Sequence, residues 1–418
     1  MSQIPKKFDW VIVGGGLAGK LAAYFLCRLR PTWSVALIEK NHGWSIHHTW
    51  SCFETDVPST LKGKWEDLNP YFWSKHKVYF PQFERTLDIG YYSLREQDLN
   101  QVITNTPNLT TFLGYQALTS SQSQKSLNVL FTKSEEPLML QLQSSDGQGA
   151  PLTIESLKLV LATGWPPISG PVGYQKFVGW EVRTTDEHGL EFPVLMDARV
   201  PQTDGYRFFY VLPFTKNTLL IEDTYYSDSS HLSEDLIAPN IYKYASQNGW
   251  KIADVLYRET GVLPIPLFKS SFNVSYNFDF RIVSLGTCAG HFHPVTGYSL
   301  PVFLKQWALF EQKLQDGGIS VRKKMLPCFS RADWGYRMLN RFMWYGATSQ
   351  NRRVFFAFFY QKKAQGLICR FYSHNMSLRD WLSFYASWPP PISLTFALRA
   401  MLKSVALWMV RWWRSVLA

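Results

Sequence analysis

The chain has few cysteines, and they are scattered. Its 418 residues include only Cys27, Cys52, Cys288, Cys328 and Cys369, none of them in the C-x-x-C spacing of a redox or zinc motif. This odd, irregular set argues against a disulfide framework, so we interpret the cysteines as small buried hydrophobes in a reducing compartment. Internal repeats and long low-complexity linkers are also lacking. Because the first seven residues are polar, we expect no signal peptide.

Acidic residues are almost missing from the last part of the chain. From Arg341 to Ala418, eleven Lys and Arg residues face one acid, Asp380, which accounts for +10 of the net charge of +11. Such an asymmetry favours a negatively charged partner, either nucleic acid or an anionic membrane surface. No nucleic-acid-binding motif is present, and the basic residues lie among large apolar ones, so we expect the membrane and not nucleic acid.

The same region lacks an apolar run long enough to cross a bilayer, because the charge-free stretch from Trp381 to Leu398 contains three consecutive prolines. Projected as a helix, residues 392–418 group four cations in one arc, with Leu, Met, Val and Trp opposite: Arg399, Lys403, Arg411 and Arg414. This pattern is typical of a helix in the lipid headgroup layer, although a helix packed on the protein's own core would show the same apolar face. We expect a cytoplasmic protein peripherally attached to the inner face of the cell membrane.

What the chain does contain is a glycine-rich turn near its N-terminus. The apolar run 8–13 predicts a buried strand, residues 20–29 predict a helix, and the next strand ends at Glu39. Between strand and helix lies G-x-G-x-x-G, which together with the acid is typical of a dinucleotide-binding βαβ unit. A glycine turn without a ligand is the alternative. The position so close to the N-terminus of a long chain favours FAD over a nicotinamide.

Each residue of this turn has a predicted role. Gly14 and Gly16 let the backbone approach a pyrophosphate, and Gly19 lets the helix pack on the strand. The helix N-terminus, including Leu17 and Ala18, faces the phosphates, and Glu39 can accept a hydrogen bond from a ribose hydroxyl.

The remaining pattern predicts an α/β protein. A Rossmann-type FAD-binding domain is split around an inserted antiparallel β-sheet substrate domain and followed by a helical C-terminal part. The strand ending at Gly164 and a second strand–glycine–helix return at Gly286 indicate where the chain comes back to the nucleotide. The predicted boundaries place the nucleotide domain at 1–80, 81–165 and 276–319, the substrate sheet at 166–275, and a helical lid and membrane contact at 320–418.

Glu222 and Asp223 are the candidate catalytic acids. They are adjacent at the end of an apolar strand, where alternation points only one of them inward. Asp197 and Glu181 lie in similar strands and are weaker candidates. His291 and His293 have no third ligand at metal spacing, so we expect no metal, and the corner around them more plausibly lines a flavin ring.

Ordered motifs make the chain similar to one enzyme family, the bacterial lycopene beta-cyclases of carotenoid synthesis. Besides the N-terminal turn they are His48-Thr49-Trp50-Ser51, Met196-Asp197-Ala198 followed by Asp204-Gly205-Tyr206-Arg207-Phe208, Leu219-Leu220-Ile221-Glu222-Asp223-Thr224, and Phe292-His293-Pro294-Val295-Thr296-Gly297-Tyr298-Ser299-Leu300-Pro301. After Gly286, the Asp of flavin hydroxylases is replaced by Thr287-Cys288, which weakens assignment to the hydroxylases.

The resemblance implies a flavoprotein that uses reduced FAD, with NAD(P)H as the electron source, to fold each end of lycopene into a β-ionone ring without net redox change. It implies Glu222 as the acid or base and places the flavin ring against the second glycine corner. The corner residues are Gly286, Gly290, Pro294, Thr296 and Gly297. A flavin-dependent reductase or monooxygenase acting on an isoprenoid is the alternative, and a non-catalytic flavin- or carotenoid-binding membrane protein is a third reading.

Overall fold

The N-terminal βαβ unit forms the centre of the first sheet in this computed structural model, which describes residues 7–45, 48–118, 129–130, 136–148, 150–165, 168, 170–268, 281–316 and 333–386. Strand β1 (Lys7–Val13) passes through the glycine turn into helix α1 (Leu17–Leu29), and β2 (Val35–Glu39) returns parallel to β1. Most side chains of both strands are buried, which explains why these runs are apolar without alternation.

The first sheet contains five parallel strands, in the order β8 (Leu109–Leu113), β2, β1, β12 (Leu152–Leu161) and β18 (Ile282–Ser284). Antiparallel strands extend it beyond β12: β9 (Tyr115–Ala117), β10 (Val129–Leu130) and β11 (Leu138–Ser144). Helix α5 (Leu300–Gln315) packs beside α1, with the rings of Phe25 and Trp307 5.5 Å apart.

The second sheet has seven strands and is antiparallel except for one pair. Its order is β17 (Ile252–Pro266), β13 (Val172–Thr184), β16 (Thr218–Ser227), β15 (Tyr206–Pro213), β14 (Val194–Asp197), β5 (His76–Phe80) and β6 (Phe83–Leu87), with β14 and β5 parallel. A third, small sheet joins β3 (Thr49–Phe53), β7 (Tyr91–Arg95) and β4 (Tyr71–Trp73).

Both faces of the second sheet are covered, so alternation decides which core each side chain joins. Helix α4 (Glu234–Gln247) packs on one face, against Phe209 and Ile221 among others. The opposite face holds Phe208, Tyr210 and Leu220, which share a core with the C-terminal helices.

The C-terminal helices are α6 (Asp333–Arg341), α7 (Ser349–Lys362), α8 (Gln365–Tyr372) and α9 (Leu378–Ala386). Two short helices flank the strands of the third sheet: α2 (Lys62–Glu66) precedes β4, and α3 (Glu96–Thr104) follows β7. Buried Arg352 of α7 donates to the backbone oxygens of Tyr226 (2.8 Å) and Met343 (2.7 Å). This ties the C-terminal helices to the end of β16.

The predicted fold class is confirmed: a parallel Rossmann-type sheet, an antiparallel sheet inserted between its strands, and a helical C-terminal part. The predicted acids Glu222 and Asp223 lie within β16 and not at its end, because this strand continues four residues past Asp223. The antiparallel sheet also takes in residues 76–87, which the predicted boundaries assign to the nucleotide domain. The cause is burial, since Val78 and Phe80 face the core shared with β15. The predicted helix 392–418 lies outside the described residues.

Candidate active site

The glycine turn has two kinds of glycine. A Cβ on Gly14, whose φ is +108°, would lie 2.3 Å from the Ala162 carbonyl oxygen, and one on Gly19 would lie 1.8 Å from that of Gly14. These two glycines therefore allow the turn to close against its own backbone. Around Gly16, by contrast, no described atom lies within 4 Å of such a Cβ. Gly16 thus leaves open space at the N-terminus of α1, whose first turn has no acid.

Glu39 closes the turn from the tip of β2. Its Oε2 accepts from the Gly15 N–H (2.8 Å) and its Oε1 from the Asn41 N–H (2.9 Å). The carboxylate is thereby fixed beside the open space next to Gly16.

A cavity of about 310 Å³ extends from this turn to the second sheet. Seventeen of its lining residues fall within the ranges predicted for the nucleotide domain, among them Gly16, Leu17, Ala18, Ala162, Gly164, Gly286, Thr287, Gly297, Ser299 and Leu300. The carboxyl ends of β1, β12 and β18 thus lie at the same opening, as expected for parallel strands, whose following loops all lie at one edge of the sheet.

The other predicted cofactor residues lie behind this lining. Gly290, at φ +76°, ends the short helical turn 286–289. The Pro294 carbonyl accepts from Asn340 Nδ2 (2.7 Å), and Thr296 Oγ1 accepts from the Tyr298 N–H (3.3 Å). These residues shape the corner from which Gly297 and Tyr298 reach the cavity.

Glu222 lines the same cavity from β16. It is 6% exposed, and the Thr224 hydroxyl donates to its Oε1. Burial raises the pKa of Glu222 to about 7; the hydrogen bond from Thr224 opposes this shift and the negative charge of Asp223 adds to it. A carboxyl group in this position is therefore partly protonated near neutral pH.

Asp223 points to the opposite face of the strand. Its carboxylate forms a two-bond ion pair with Arg207, with both N···O distances 2.8 Å, and accepts from the Tyr225 hydroxyl. Burial raises its pKa, whereas Arg207 acts in the other direction. The two adjacent acids are thus separated by the sheet, and Asp223 belongs to the core beneath α4.

A second glutamate, Glu259, lines the cavity from β17. Within the sheet Glu222 is directly opposite Gly179, and Gly179 is directly opposite Glu259. The Thr49 N–H donates to Glu259 Oε2 at 3.1 Å. Burial raises the pKa of Glu259 well above its ordinary value, and the neighbouring charge of Glu222 adds to the increase.

An aromatic chamber of about 50 Å³ adjoins the cavity on the side of the C-terminal helices. The two spaces share Ser51, Tyr210 and Tyr298. The Tyr210 hydroxyl donates to Ser51 Oγ (2.9 Å) and lies 3.0 Å from that of Tyr91. Five further aromatic residues line the chamber: Phe53, Phe208, Tyr226, Tyr360 and Tyr372. Its wall therefore suits an apolar, unsaturated ligand.

The buried histidines of the corner serve the backbone. His291 Nδ1 accepts from the Gly286 N–H (3.2 Å), and His293 Nδ1 accepts from the Thr296 N–H (3.2 Å). Burial lowers the pKa of His291 to about 4 and that of His293 to about 3, so both rings are neutral. Within the described ranges no cluster of three or more His, Cys, Asp or Glu side chains is arranged to hold a metal ion.

The weaker candidates lie in ion pairs away from the cavity lining. Arg95 pairs with Glu181 (3.1 Å), and Arg199 pairs with Asp197 (2.7 Å). Sequence reasoning missed Glu259 and Gly179. Glu259 lies among polar residues with no motif around it, and only the pairing of β13 with β17 brings it beside Glu222.

Comparison with known proteins agrees with this geometry. Residues 9–398 match the family model described as lycopene cyclase protein. The chain is 34% identical to the lycopene beta-cyclase of a Paracoccus species, covering 94% of this chain and 97% of the relative. It is 31% identical to the lycopene beta-cyclase of Pantoea ananas, covering 94% and 98%.

Solved structures agree on the fold. One is a geranylgeranyl bacteriochlorophyll reductase-like protein from Thermoplasma acidophilum, with a TM-score of 0.60, 10% identity, and coverage of 93% of this chain and 98% of that one. Another is a flavoprotein/dehydrogenase from Cytophaga hutchinsonii, with a TM-score of 0.57, 11% identity, and coverage of 95% and 100%. At these identities the likeness concerns architecture alone. The sequence match is what confirms the predicted family: the chain belongs to the lycopene cyclase family and is an enzyme of the lycopene beta-cyclase type.

Proposed function

We propose that this enzyme closes the acyclic ends of lycopene into β-rings, by way of gamma-carotene to beta-carotene, with Glu222 as the proton donor. The observation that supports this most directly is a buried carboxyl group with a raised pKa on the wall of a largely apolar cavity. Substrate and product are isomers, so the reaction needs an acid and a base but no net oxidant or reductant.

The chemistry explains why such an acid is required. An olefin is a very weak base, and its protonation yields a tertiary carbocation that the neighbouring double bond attacks to close the ring. Loss of one proton from the ring cation then ends the reaction. Glu222 is partly protonated near neutral pH because burial disfavours its charged form. The faces of Tyr210 and Tyr298 on the same cavity steady a passing cation.

The nucleotide-domain half of the cavity fits FAD. Gly16 leaves a cradle that a side chain would fill, the positive end of α1 faces it, and Glu39 presents a carboxylate beside it. Gly16, Leu17 and Ala18 would hold the pyrophosphate, Glu39 the ribose, and Gly164, Gly286 and Gly297 the ring system. When bound in its reduced form, with NAD(P)H as the electron source, the flavin supplies an electron-rich surface that favours nearby positive charge.

The aromatic chamber supports an elongated polyene as the substrate. It continues from the cavity past Tyr210 and Tyr298, so an acyclic end beside Glu222 would leave the adjoining chain among aromatic rings. Contact of this kind buries apolar surface without any hydrogen-bonding demand, which is what a hydrocarbon requires.

We also infer peripheral attachment to a membrane, where a carotene is dissolved. Leu378 and Leu382 on α9 and Trp334 on α6 are large apolar side chains that are 73%, 65% and 54% exposed. Tyr385 of α9 donates to the Gly335 carbonyl of α6, so these two helices lie together. Searched across the described residues, the helices include none both long and apolar enough to span a bilayer.

Incubation of the purified protein with lycopene, FAD and reductant in D2O tests the proposed reaction. Ring-closed product carrying deuterium supports it. A product that has gained oxygen identifies a monooxygenase, and one that has gained two hydrogens a reductase. Unchanged lycopene would indicate a non-catalytic binding protein. Expression in lycopene-accumulating bacteria is a second test, in which ring closure changes the colour of the cells from red to orange or yellow.

A further inference from the structure

The two glutamates of the cavity face each other across a single glycine. Glu222 of β16 and Glu259 of β17 are separated only by Gly179 of β13, and all three belong to the same face of the sheet. Two strand spacings place their backbones roughly 10 Å apart, a gap that two glutamate side chains can close from either side. No other pair of carboxyl groups among the described residues lines this cavity.

Gly179 is what leaves this gap open. A Cβ there would lie 3.0 Å from Glu259 Cγ and 3.1 Å from its Oε1, closer than ordinary contact. Its φ is not in the left-handed region, so backbone conformation does not require glycine at this position. The space that a side chain would occupy is taken by the Glu259 carboxyl group.

From this arrangement we propose that Glu259 is a second catalytic carboxyl, which works with Glu222 as an acid–base pair holding one proton between them. The proposal rests on the proposed cyclisation and assigns its second proton transfer. Glu222 gives its proton to the terminal double bond, and the ring closes as the internal double bond attacks the cation. Ionised Glu259 then removes the proton whose loss forms the β-ring double bond.

The cycle is balanced in protons and electrons. One carbon–hydrogen bond forms and another breaks, and one carbon–carbon bond closes the ring at the cost of a double bond. After product release the proton passes from Glu259 back to Glu222. The Thr49 N–H stabilises the ionised form of Glu259 by donating to it. The Thr224 hydroxyl can hydrogen-bond with Glu222 in its ionised form as a donor and in its protonated form as an acceptor.

Like charges explain why the pair holds one proton. In a buried site a carboxylate raises the pKa of a carboxyl group beside it, as Glu222 does for Glu259, so the singly protonated pair is favoured over the doubly ionised one. The other charged or titratable groups near the pair come from several elements: Lys20, His48, Arg95, Glu96, Glu181, Tyr210 and Tyr298. Lys20 is paired with Glu96 and Arg95 with Glu181, so the ion pairs of these two cations are made with other carboxylates and not with Glu222 or Glu259.

The kinetic test compares Glu259→Gln with wild type in the flavin-loaded enzyme. The amide keeps the shape and accepts from Thr49 but cannot take a proton. We expect kcat for ring closure to fall at least 100-fold, with KM and FAD affinity within about threefold of wild type. The residual activity should lose its alkaline limb at least one pH unit earlier, because Glu222 no longer lies beside the negative charge of Glu259. A kcat within threefold of wild type, or a fall with an unmoved alkaline limb, would overturn the proposal.

Gly179→Ala tests the juxtaposition without removing either carboxyl. Its added methyl group should push Glu259 aside and lower kcat at least tenfold. Gly63→Ala, at a position with no described atom within 4 Å of the new Cβ, is the matched control and should keep wild-type kcat. Equal activity of the two variants would count against the pair.

An infrared measurement separates this proposal from the proposed reaction. Both proteins are labelled with ¹³C-glutamate and measured without substrate, and the infrared spectrum of the double variant Glu222→Gln/Glu259→Gln is subtracted from that of wild type. At neutral pH the difference spectrum should show one protonated carboxyl band and one carboxylate band. Two carboxylate bands, or two protonated bands, would overturn the shared proton even if lycopene is cyclised. One band of each kind in a protein that leaves lycopene unchanged would instead reject cyclisation and keep the pair.

Discussion

At the scale of single residues, neighbouring acids on one strand have different environments. Glu222 faces a cavity and Asp223 faces the guanidinium of Arg207, because successive side chains of β16 point to opposite faces of the sheet. The motif indicates that an acid is needed here, but only the position of β16 within the sheet decides which one meets the cavity. The same two residues therefore affect different properties when changed.

Substitution Glu222→Gln should abolish ring closure, with kcat at least 100-fold lower, while flavin remains bound. In wild type the protonated form is the active one, and its pKa is raised to about 7. Activity should therefore fall above about pH 7, by roughly tenfold per pH unit. Initial rates measured from pH 5 to 9 check both statements; near-normal turnover by the variant would remove Glu222 from the mechanism.

Substitution Asp223→Asn should act on stability. It leaves the Arg207 guanidinium buried without its partner, a change that costs about 3–5 kcal/mol in comparable buried pairs. Urea unfolding should show this loss, and the fraction that remains folded should still cyclise lycopene. A variant as stable as wild type but inactive would show that Asp223 takes part in the reaction after all.

At the scale of elements, the local patterns were readable and the distant pairings were not. The βαβ unit follows from its apolar strands and glycine turn, because all its determinants lie within 33 residues. Residues 76–87 join the second sheet through a parallel pairing with β14, more than 100 residues away. Glu259 reaches the site through β17, which no local motif marks, so its role could not be read from the sequence.

The glycine turn predicts a contrast between two substitutions. Gly16→Ala should weaken FAD binding at least tenfold and leave the flavin-free protein about as stable as wild type, because its new methyl group enters open space. Gly14→Ala should destabilise the protein itself, since the methyl group meets the Ala162 carbonyl and the backbone is left-handed. Flavin fluorescence titration and thermal unfolding distinguish these effects. Equal FAD affinity of Gly16→Ala and wild type would contradict the cradle.

At the scale of the whole molecule, the C-terminal helices lie between the chamber and an exposed apolar surface. Trp344 donates from Nε1 to the Ser227 carbonyl (3.0 Å). Its ring packs directly on Gly173 of β13, so that a Cβ at that position would lie only 2.0 Å from it. The helices that wall the chamber are thus fixed to β13 and β16, while Leu378, Leu382 and Trp334 face outward. Under the proposed peripheral attachment, this arrangement would bring a carotene dissolved in the membrane close to the chamber.

Deletion of residues 392–418 should move the protein from the membrane pellet to the supernatant, because the deleted segment carries four basic residues among its apolar ones. Co-sedimentation with anionic vesicles measures this shift. Leu378→Ser/Leu382→Ser should also reduce binding, whereas Leu236→Ser, at an equally exposed leucine on α4, serves as the control. An unchanged distribution after deletion would mean that the segment only packs on the protein.

The joint position of Glu222 and Glu259 has a consequence for a symmetric hydrocarbon. Lycopene carries two identical tips, and one carboxyl pair serves whichever tip has been threaded to the bottom of the pocket. A half-converted molecule must withdraw, reverse its direction and be threaded again with its other tip leading. Under the proposed pair, the one-ringed carotene would be a released species that competes with fresh substrate, and the ratio of one-ringed to two-ringed carotene would depend on how readily it binds again.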